Sequence, residues 1–221
     1  MTEETFERTR RNRVVRLPER GHYDRESVYG IIDEAMLCHV GFVQDGQPFV
    51  IPTLHARLGD RLLLHGATTS RMLKHLQAGN PVCTTMTITD GLVLARSVFH
   101  HSINYRSVVL FGQGALIADP DEKMAALAAF TERLMPGRWD DAREPNRKEF
   151  KATSVVAIPI DSASAKVRVG PPKDDEEDLG LPVWAGVVPI RQVVGEPQAA
   201  PDLRDGVPVP AYITEYVARR R

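Results

Sequence analysis

Cysteine is scarce in this chain. Its two cysteines, Cys38 and Cys83, stand alone in apolar runs, outside any CxxC or zinc-type spacing. A redox-motif or zinc framework is thereby set aside, and two inert buried thiols are expected. An excess of one charge is missing too: 28 Lys and Arg face 29 Asp and Glu, a net charge of −1. Neither nucleic acid nor an anionic membrane surface is an expected partner of so balanced a chain. No apolar run approaches the ~20 residues that span a bilayer. The Arg-rich start does not read as a secretory signal, and Glu3, Glu4 and Glu7 oppose a transit peptide. A cytoplasmic protein is the expectation. Also absent is any GxGxxG that follows a strand, the fingerprint of a nicotinamide dinucleotide site.

What is present suits one domain, with a hydrophobic fraction of 43% and ample length for a core. Residues 1–23 form an arm with six arginines, Arg8, Arg10, Arg11, Arg13, Arg16 and Arg20. Without periodicity, it is expected to lie over the domain in solvent, or to bring one or two arginines to an anion or a subunit seam. Asp24 is a good N-cap for a helix over Arg25–Leu37, with Val28, Ile31, Ile32, Ala35 and Met36 on its apolar face. A meander follows. Cys38–Val43 and Gln47–Arg57 meet across Asp45-Gly46, a strong hairpin signal, and Gly59-Asp60 turns the chain into Arg61–His65. A short helix over 70–78 ends at Gly79. Strand Pro81–Thr89 is expected to stop at an Asp90-Gly91 turn, before a hairpin of Val93–His100 and Asn104–Gly114.

Later come a helix over Pro120–Leu134 and strands at Thr153–Ile160 and Ala165–Val169. Val183–Val194 supplies a late strand or docking segment, and Ala211–Arg220 a terminal helix. Roughly six or seven short antiparallel strands with few, peripheral helices predict a mainly β, Greek-key-like barrel, closed or partly closed. The expected organisation is a single domain over 1–221. Its core is 24–169, and the tail 170–221 packs on the barrel or a dimer seam.

The hairpin concentrates polar groups in apolar strands. Arg96 shares a face with Leu94 and Val98; Tyr105, Ser107 and Val109 share one face, Arg106 and Val108 the other. Such groups are costly to bury without partners. A bound anion with an aromatic body would supply them, and so would an arginine–carboxylate network at a dimer seam. Another candidate is the stretch from His65 to Lys74, where a strand ends, small residues turn, and a helix opens with Ser70 and Arg71. In Val50-Ile51-Pro52-Thr53, Pro52 cannot donate a ladder bond, so the strand either kinks at an edge or aims backbone at a ligand. His100 and His101 are adjacent and point apart in a regular strand, so no metal centre is expected. The acidic run 174–178 reads as a solvated loop.

Three segments together, ARSVFHHSINYRSVV, VIPT and LHGATTSRM, resemble the FMN-binding split-barrel family related to pyridoxamine 5′-phosphate oxidase. Within it the chain is most similar to the flavin-nucleotide-binding, nitroimidazole-resistance-like branch, over roughly Arg13–Val188. The resemblance implies an FMN-binding split β-barrel that works as a homodimer, with FMN between protomers. It implies phosphate contacts from Ser70 and Arg71, with Lys74 standing in for a lysine usual where this chain has Met72. It puts the flavin ring along the backbone of Val50, Ile51, Pro52 and Thr53. Arg96 or Arg106 would meet the phosphate, Ser97 and Ser107 the ring or ribityl chain, and Tyr105 and Val108 would lie beside them. His65 matches a histidine near the flavin and is the catalytic candidate. Lys166, Arg168 and Trp184 would complete the site from the second subunit, Trp184 serving equally as a core or interface anchor.

The implied activity is two-electron transfer through flavin to a small organic acceptor or oxygen. A nitroimidazole or quinone reductase is one alternative, and a flavin- or haem-binding carrier without turnover is another. The sequence EYVARRR stands where authentic oxidases carry an Arg-Leu-x-Pro segment, so oxidation of pyridoxamine 5′-phosphate itself is not expected.

Overall fold

A computed structural model describes residues 4–220. After the two-residue strand β1 (Gly21–His22), the Asp24 carboxylate accepts the Ser27 N–H at 2.7 Å and opens α1 (Arg25–Glu34). Val28, Ile31 and Ile32 form its buried face. Ala35 is already extended, which takes Met36 off that face and leaves it 42% exposed, against expectation. β2 (Leu37–Gln44) and β3 (Gln47–Leu58) pair across Asp45 and Gly46, both at positive φ (52° and 77°), the twist-matched hairpin turn. β4 (Arg61–Ala67) follows Gly59, and α2 (Arg71–Gln77) starts where Ser70 Oγ accepts the Leu73 N–H at 3.4 Å.

β5 (Pro81–Leu94) runs straight through the expected turn at Asp90-Gly91. The pair is a bulge instead: the register with β6 (Ser102–Gln113) shifts between Thr89 and Gly91. A Cβ on Gly91 would lie 3.0 Å from Val187 Cγ1 and from the Val188 carbonyl, so the bulge needs a glycine there. The expected strand Val93–His100 likewise stops at Leu94. Ser97 Oγ accepts the Phe99 N–H and caps a 3₁₀ turn, Val98–His100, before β6 begins.

The remaining elements are β7 (Ala115–Leu116), α3 (Pro120–Leu134), α4 (Arg138–Asp141), α5 (Arg147–Ala152), β8 (Thr153–Pro159), β9 (Ala163–Arg168), β10 (Gly186–Pro189) and α6 (Ala211–Arg219). The strand order is β1-β9-β6-β5-β2-β3-β4-β8-β7, with β10 on the far half of β5, and every pairing is antiparallel. This is the open, mainly antiparallel sheet of a split barrel, as the sequence predicts.

Alternation decides which side chains fill it. Val40, Phe42, Leu62, Leu64, Met86, Val108, Leu110, Val156 and Ile158 point inward onto α1 and α2. Leu63, Val155 and Ala157 point the other way and are covered by Ala126 and Phe130 of α3. Cys38 lies in the first cluster, where burial pushes its thiol up to about 12. Cys83 is only half-buried, and burial raises its thiol as well. Neither is a ready thiolate.

The arm does not lie loose in solvent. Phe6 is buried in the main cluster, and its N–H donates to the Tyr23 carbonyl at 2.8 Å. Asn12 is buried too, donating to the Ala163 carbonyl of β9 at 3.2 Å. No helix among the described residues is long and apolar enough to cross a membrane.

Candidate functional site

Helix α2 turns Met72, Leu73 and Leu76 into the core, which leaves Arg71 and Lys74 on its outward side. Met72 is therefore a packing residue and offers no counterpart to a phosphate-binding lysine. Arg71 sits over the Phe49 ring, 4.7 Å from its centroid. With Gln44, Thr69, His75 and Asn80, Arg71 and Lys74 line a cavity of about 390 Å³. Its side chains are hydrogen-bond donors and cations, with no carboxylate. Ser70 lies beside it as the helix cap.

A second surface is the outer face of the sheet. Phe49 and Ile51 pack on the core, so Val50, 67% exposed, and Pro52 face outward. Pro52 stands opposite His39, His39 opposite Thr85, Thr85 opposite Val109 and Val109 opposite Ser164. The next row joins Thr87, Ser107 and Lys166. The fold thus brings Val50, Pro52, Tyr105, Ser107 and Lys166 onto one face. Ile51 and Val108 have side chains directed into the barrel, so only their backbone reaches that face; Thr53 stands opposite Cys38.

Three of the four arginines assigned to a ligand, Arg106, Arg96 and Arg168, are already engaged. Arg106 donates through Nε and Nη2 to Asp90, at 3.0 and 2.8 Å, and through both Nη atoms to Glu34. These bonds to Glu34 and Asp90 hold its pKa above the ordinary arginine value, and the same bond holds Glu34 below the usual carboxylate range. Arg96 donates to Asp174 from Nη1 at 2.9 Å and from its backbone N–H at 2.7 Å. The Asp174 side chain is only 2% exposed, so this part of the acidic run is a clasp and not a solvated loop. Arg168 is buried. It donates to Asn104 Oδ1 and to the Gly170 and Pro171 carbonyls, and burial lowers its pKa.

Lys166 Nζ donates to the Arg16 carbonyl at 2.9 Å, and Ser107 Oγ to the Lys166 carbonyl at 3.4 Å. Ser97 serves the 3₁₀ turn. Trp184 is 65% exposed and lies against Gly186.

His65 is on the α3 side of β4, its ring 4.1 Å from that of Phe130. Burial pushes its pKa below the usual value, and Nδ1 is enclosed without a partner. His55, which sequence reasoning passed over, is more deeply buried. Its Nε2–H donates to the Ile32 carbonyl at 2.8 Å while Nδ1 has no partner, and burial lowers its pKa as well.

Burial disfavours the protonated form of both rings in the fold, whereas in the unfolded chain they titrate near ~6.5. Below that pH the unfolded state binds more protons, so stability should fall as pH drops through about 6.5. The urea midpoint should be lower at pH 5 than at pH 7.5, and His55→Gln should narrow the difference. An unchanged difference in the variant would remove His55 from this linkage. Among the described residues no group of three or more His, Cys, Asp or Glu is placed to hold a metal ion.

A split barrel with a cationic cavity at its second helix and a polar outer sheet face defines the architectural class. Residues 24–167 match the model of the pyridoxamine 5′-phosphate oxidase family, and the chain belongs to that family. It is similar to the flavocytochrome Anf3 from Azotobacter vinelandii, with 41% identity, a TM-score of 0.89, and coverage of 96% of this chain and 97% of that one. The FAD and haem binding protein from Mycobacterium smegmatis is 39% identical, with a TM-score of 0.85 over 89% of this chain and 96% of that one. A candidate 5-nitroimidazole antibiotic resistance protein from Bacteroides thetaiotaomicron VPI-5482 follows, 25% identical with a TM-score of 0.57, over 66% and 86%. No curated protein matches.

Proposed function

We propose that this chain is a flavin-binding redox protein, built as a homodimer, that transfers electrons to a small organic acceptor or to oxygen. The observation that carries the reading is the cavity of Arg71 and Lys74, a carboxylate-free set of donors suited to a phosphate. The outer face beside β3 offers a flat, partly apolar bed for a ring. Two relatives that match nearly the whole chain are named for flavin. Ser70, Arg71 and Lys74 would hold the phosphate of an FMN unit. The backbone of Val50–Thr53 would bed its ring, with Tyr105, Ser107 and Lys166 contributed across the seam. The bound flavin supplies the two-electron chemistry; the chain binds it, orients it and limits access. Val50, Phe99 (85% exposed) and Trp184 leave apolar surface that a two-fold partner would cover.

One observation favours a second cofactor. His65 offers an imidazole whose Nδ1 no protein group satisfies and whose burial disfavours protonation, the donor type a haem iron takes. Both of the relatives most fully matched here are named for haem or as a flavocytochrome. A flavin–haem electron carrier is therefore preferred to a substrate-specific oxidase.

The visible spectrum of the purified protein tests both readings, with light scattering on the same sample. Flavin bands and a Soret band on a dimer are expected, and His65→Ala should remove the Soret band while keeping the flavin. Failure to take up FMN or FAD would end the flavin reading; a Soret band unchanged by His65→Ala would end the haem assignment. Oxidation of a reduced nicotinamide with varied acceptors then separates enzyme from carrier.

A further inference from the structure

We infer that the N-terminal arm builds a binding site for a planar organic monoanion, an aromatic carboxylate, and that this site seats the organic acceptor of the reaction proposed above. The binding stands on the cavities alone, and the acceptor role rests on the flavin reading. A cavity of about 1100 Å³ is lined by Arg10, Arg11, Pro81, Phe111, Pro159 and Asp161 among others. A narrower one of about 240 Å³ lies on the outer sheet face against Ser107, Ser164 and Lys166. Both are lined by Arg11 and Phe111, so the two meet at those side chains. Ser107 and Lys166 are residues that the flavin reading sets beside a ring across the seam. A molecule held at Arg11 and Phe111 is thus next to the groups that would flank the flavin.

The arm is made to present its charges there. Thr9 N–H donates to Asn12 Oδ1 at 2.8 Å and Arg13 N–H to the Thr9 carbonyl at 3.1 Å, which closes a turn with Arg10 and Arg11 at its tip. Buried Asn12 ties that turn to the Ala163 carbonyl of β9. Arg10, Arg11 and Asp161 take part in no ion pair among the described residues. The two guanidinium forks are therefore free to take a carboxylate in paired hydrogen bonds. In the wider cavity they face one carboxylate, Asp161, and the single positive charge left over suits a monoanion better than a phosphate dianion. Phe111 offers a ring face, with the Arg11 guanidinium 5.9 Å from its centroid, and Pro81 and Pro159 give apolar walls for a flat body. A carboxylated quinone combines such a body with such a charge. Seated here it becomes the hydroquinone by taking two electrons and two protons, which fully reduced flavin supplies in becoming oxidised.

Calorimetric titration of the full-length, flavin-free protein with naphthoate and with its uncharged amide tests the binding. The parent should take naphthoate at least about tenfold more tightly than the amide, the worth of one charged hydrogen bond. The R10Q/R11Q variant should lose that preference and keep its affinity for the amide within about twofold, because Thr9 and Asn12 hold the turn without the arginine side chains. No binding of naphthoate, equal affinities in the parent, or a preference that survives in the variant would each overturn the site. In the flavin-loaded parent, naphthoate should compete with a carboxylated naphthoquinone, raising its KM and leaving kcat in place. A KM that naphthoate does not move would overturn the acceptor role. A chain that binds naphthoate through these arginines and takes up no flavin would end the flavin reading and the acceptor role, while the anion site stands.

Discussion

Replacing Arg71 and Lys74 together with alanine should cost FMN about a hundredfold in affinity and riboflavin almost nothing. A lost hydrogen bond to a charged partner costs about 1.5–3 kcal/mol. Both side chains are exposed, so the lower figure applies, about tenfold for each. The fold should tolerate the change. Met72, Leu73 and Leu76 carry the packing of α2, and alanine is the better helix former at the two outward positions. Riboflavin separates phosphate recognition from ring recognition, since it keeps the ring and lacks the phosphate. Equal losses for the two flavins would move the phosphate elsewhere, and an unchanged FMN titration would remove the cavity from the site.

Local chemistry was the legible part of this chain. Asp45-Gly46 marked its hairpin because the positive φ at both residues is a property of the dipeptide. The caps Asp24 and Ser70 start α1 and α2 by hydrogen bonds within three residues. Helix α5 obeyed the same kind of rule and went unread: Asn146 and Glu149 form a reciprocal capping box.

What the sequence hid is non-local. Asp90-Gly91 has turn composition, yet β10 pairs along Gly91–Leu94 and holds the strand extended, from far downstream in the chain. The hairpin arginines looked like ligands because their partners lie 16, 72 and 78 positions away in Asp90, Glu34 and Asp174. Alternation within β5 and β6 gave the right faces for Tyr105, Ser107 and Val108, but not what would meet those faces. The cavity beside α2 was half legible, since Ser70-Arg71 signals a helix start while its walls Gln44 and Asn80 come from other elements.

Arg106→Ala therefore tests the corrected reading directly, with stability as the expected loss and flavin affinity nearly unchanged. In the parent, Arg106 joins Glu34 at the end of α1 to Asp90 in the β5 bulge. Without it two carboxylates face each other, one of them at the negative end of a helix dipole. Removing one partner of a fully buried pair costs about 3–5 kcal/mol. Here Glu34 is half exposed, so screening brings the expected cost to about 1–3 kcal/mol.

The pH dependence of that cost gives a second readout. Arg106 lowers the folded pKa of Glu34, so its contribution is present above the unfolded carboxylate value near ~4.3 and is lost as pH falls through the folded one. Parent and variant should thus differ most in urea midpoint near neutrality and converge in acid. A variant with unchanged stability and about tenfold weaker FMN binding, riboflavin spared, would return Arg106 to the phosphate and overturn the network.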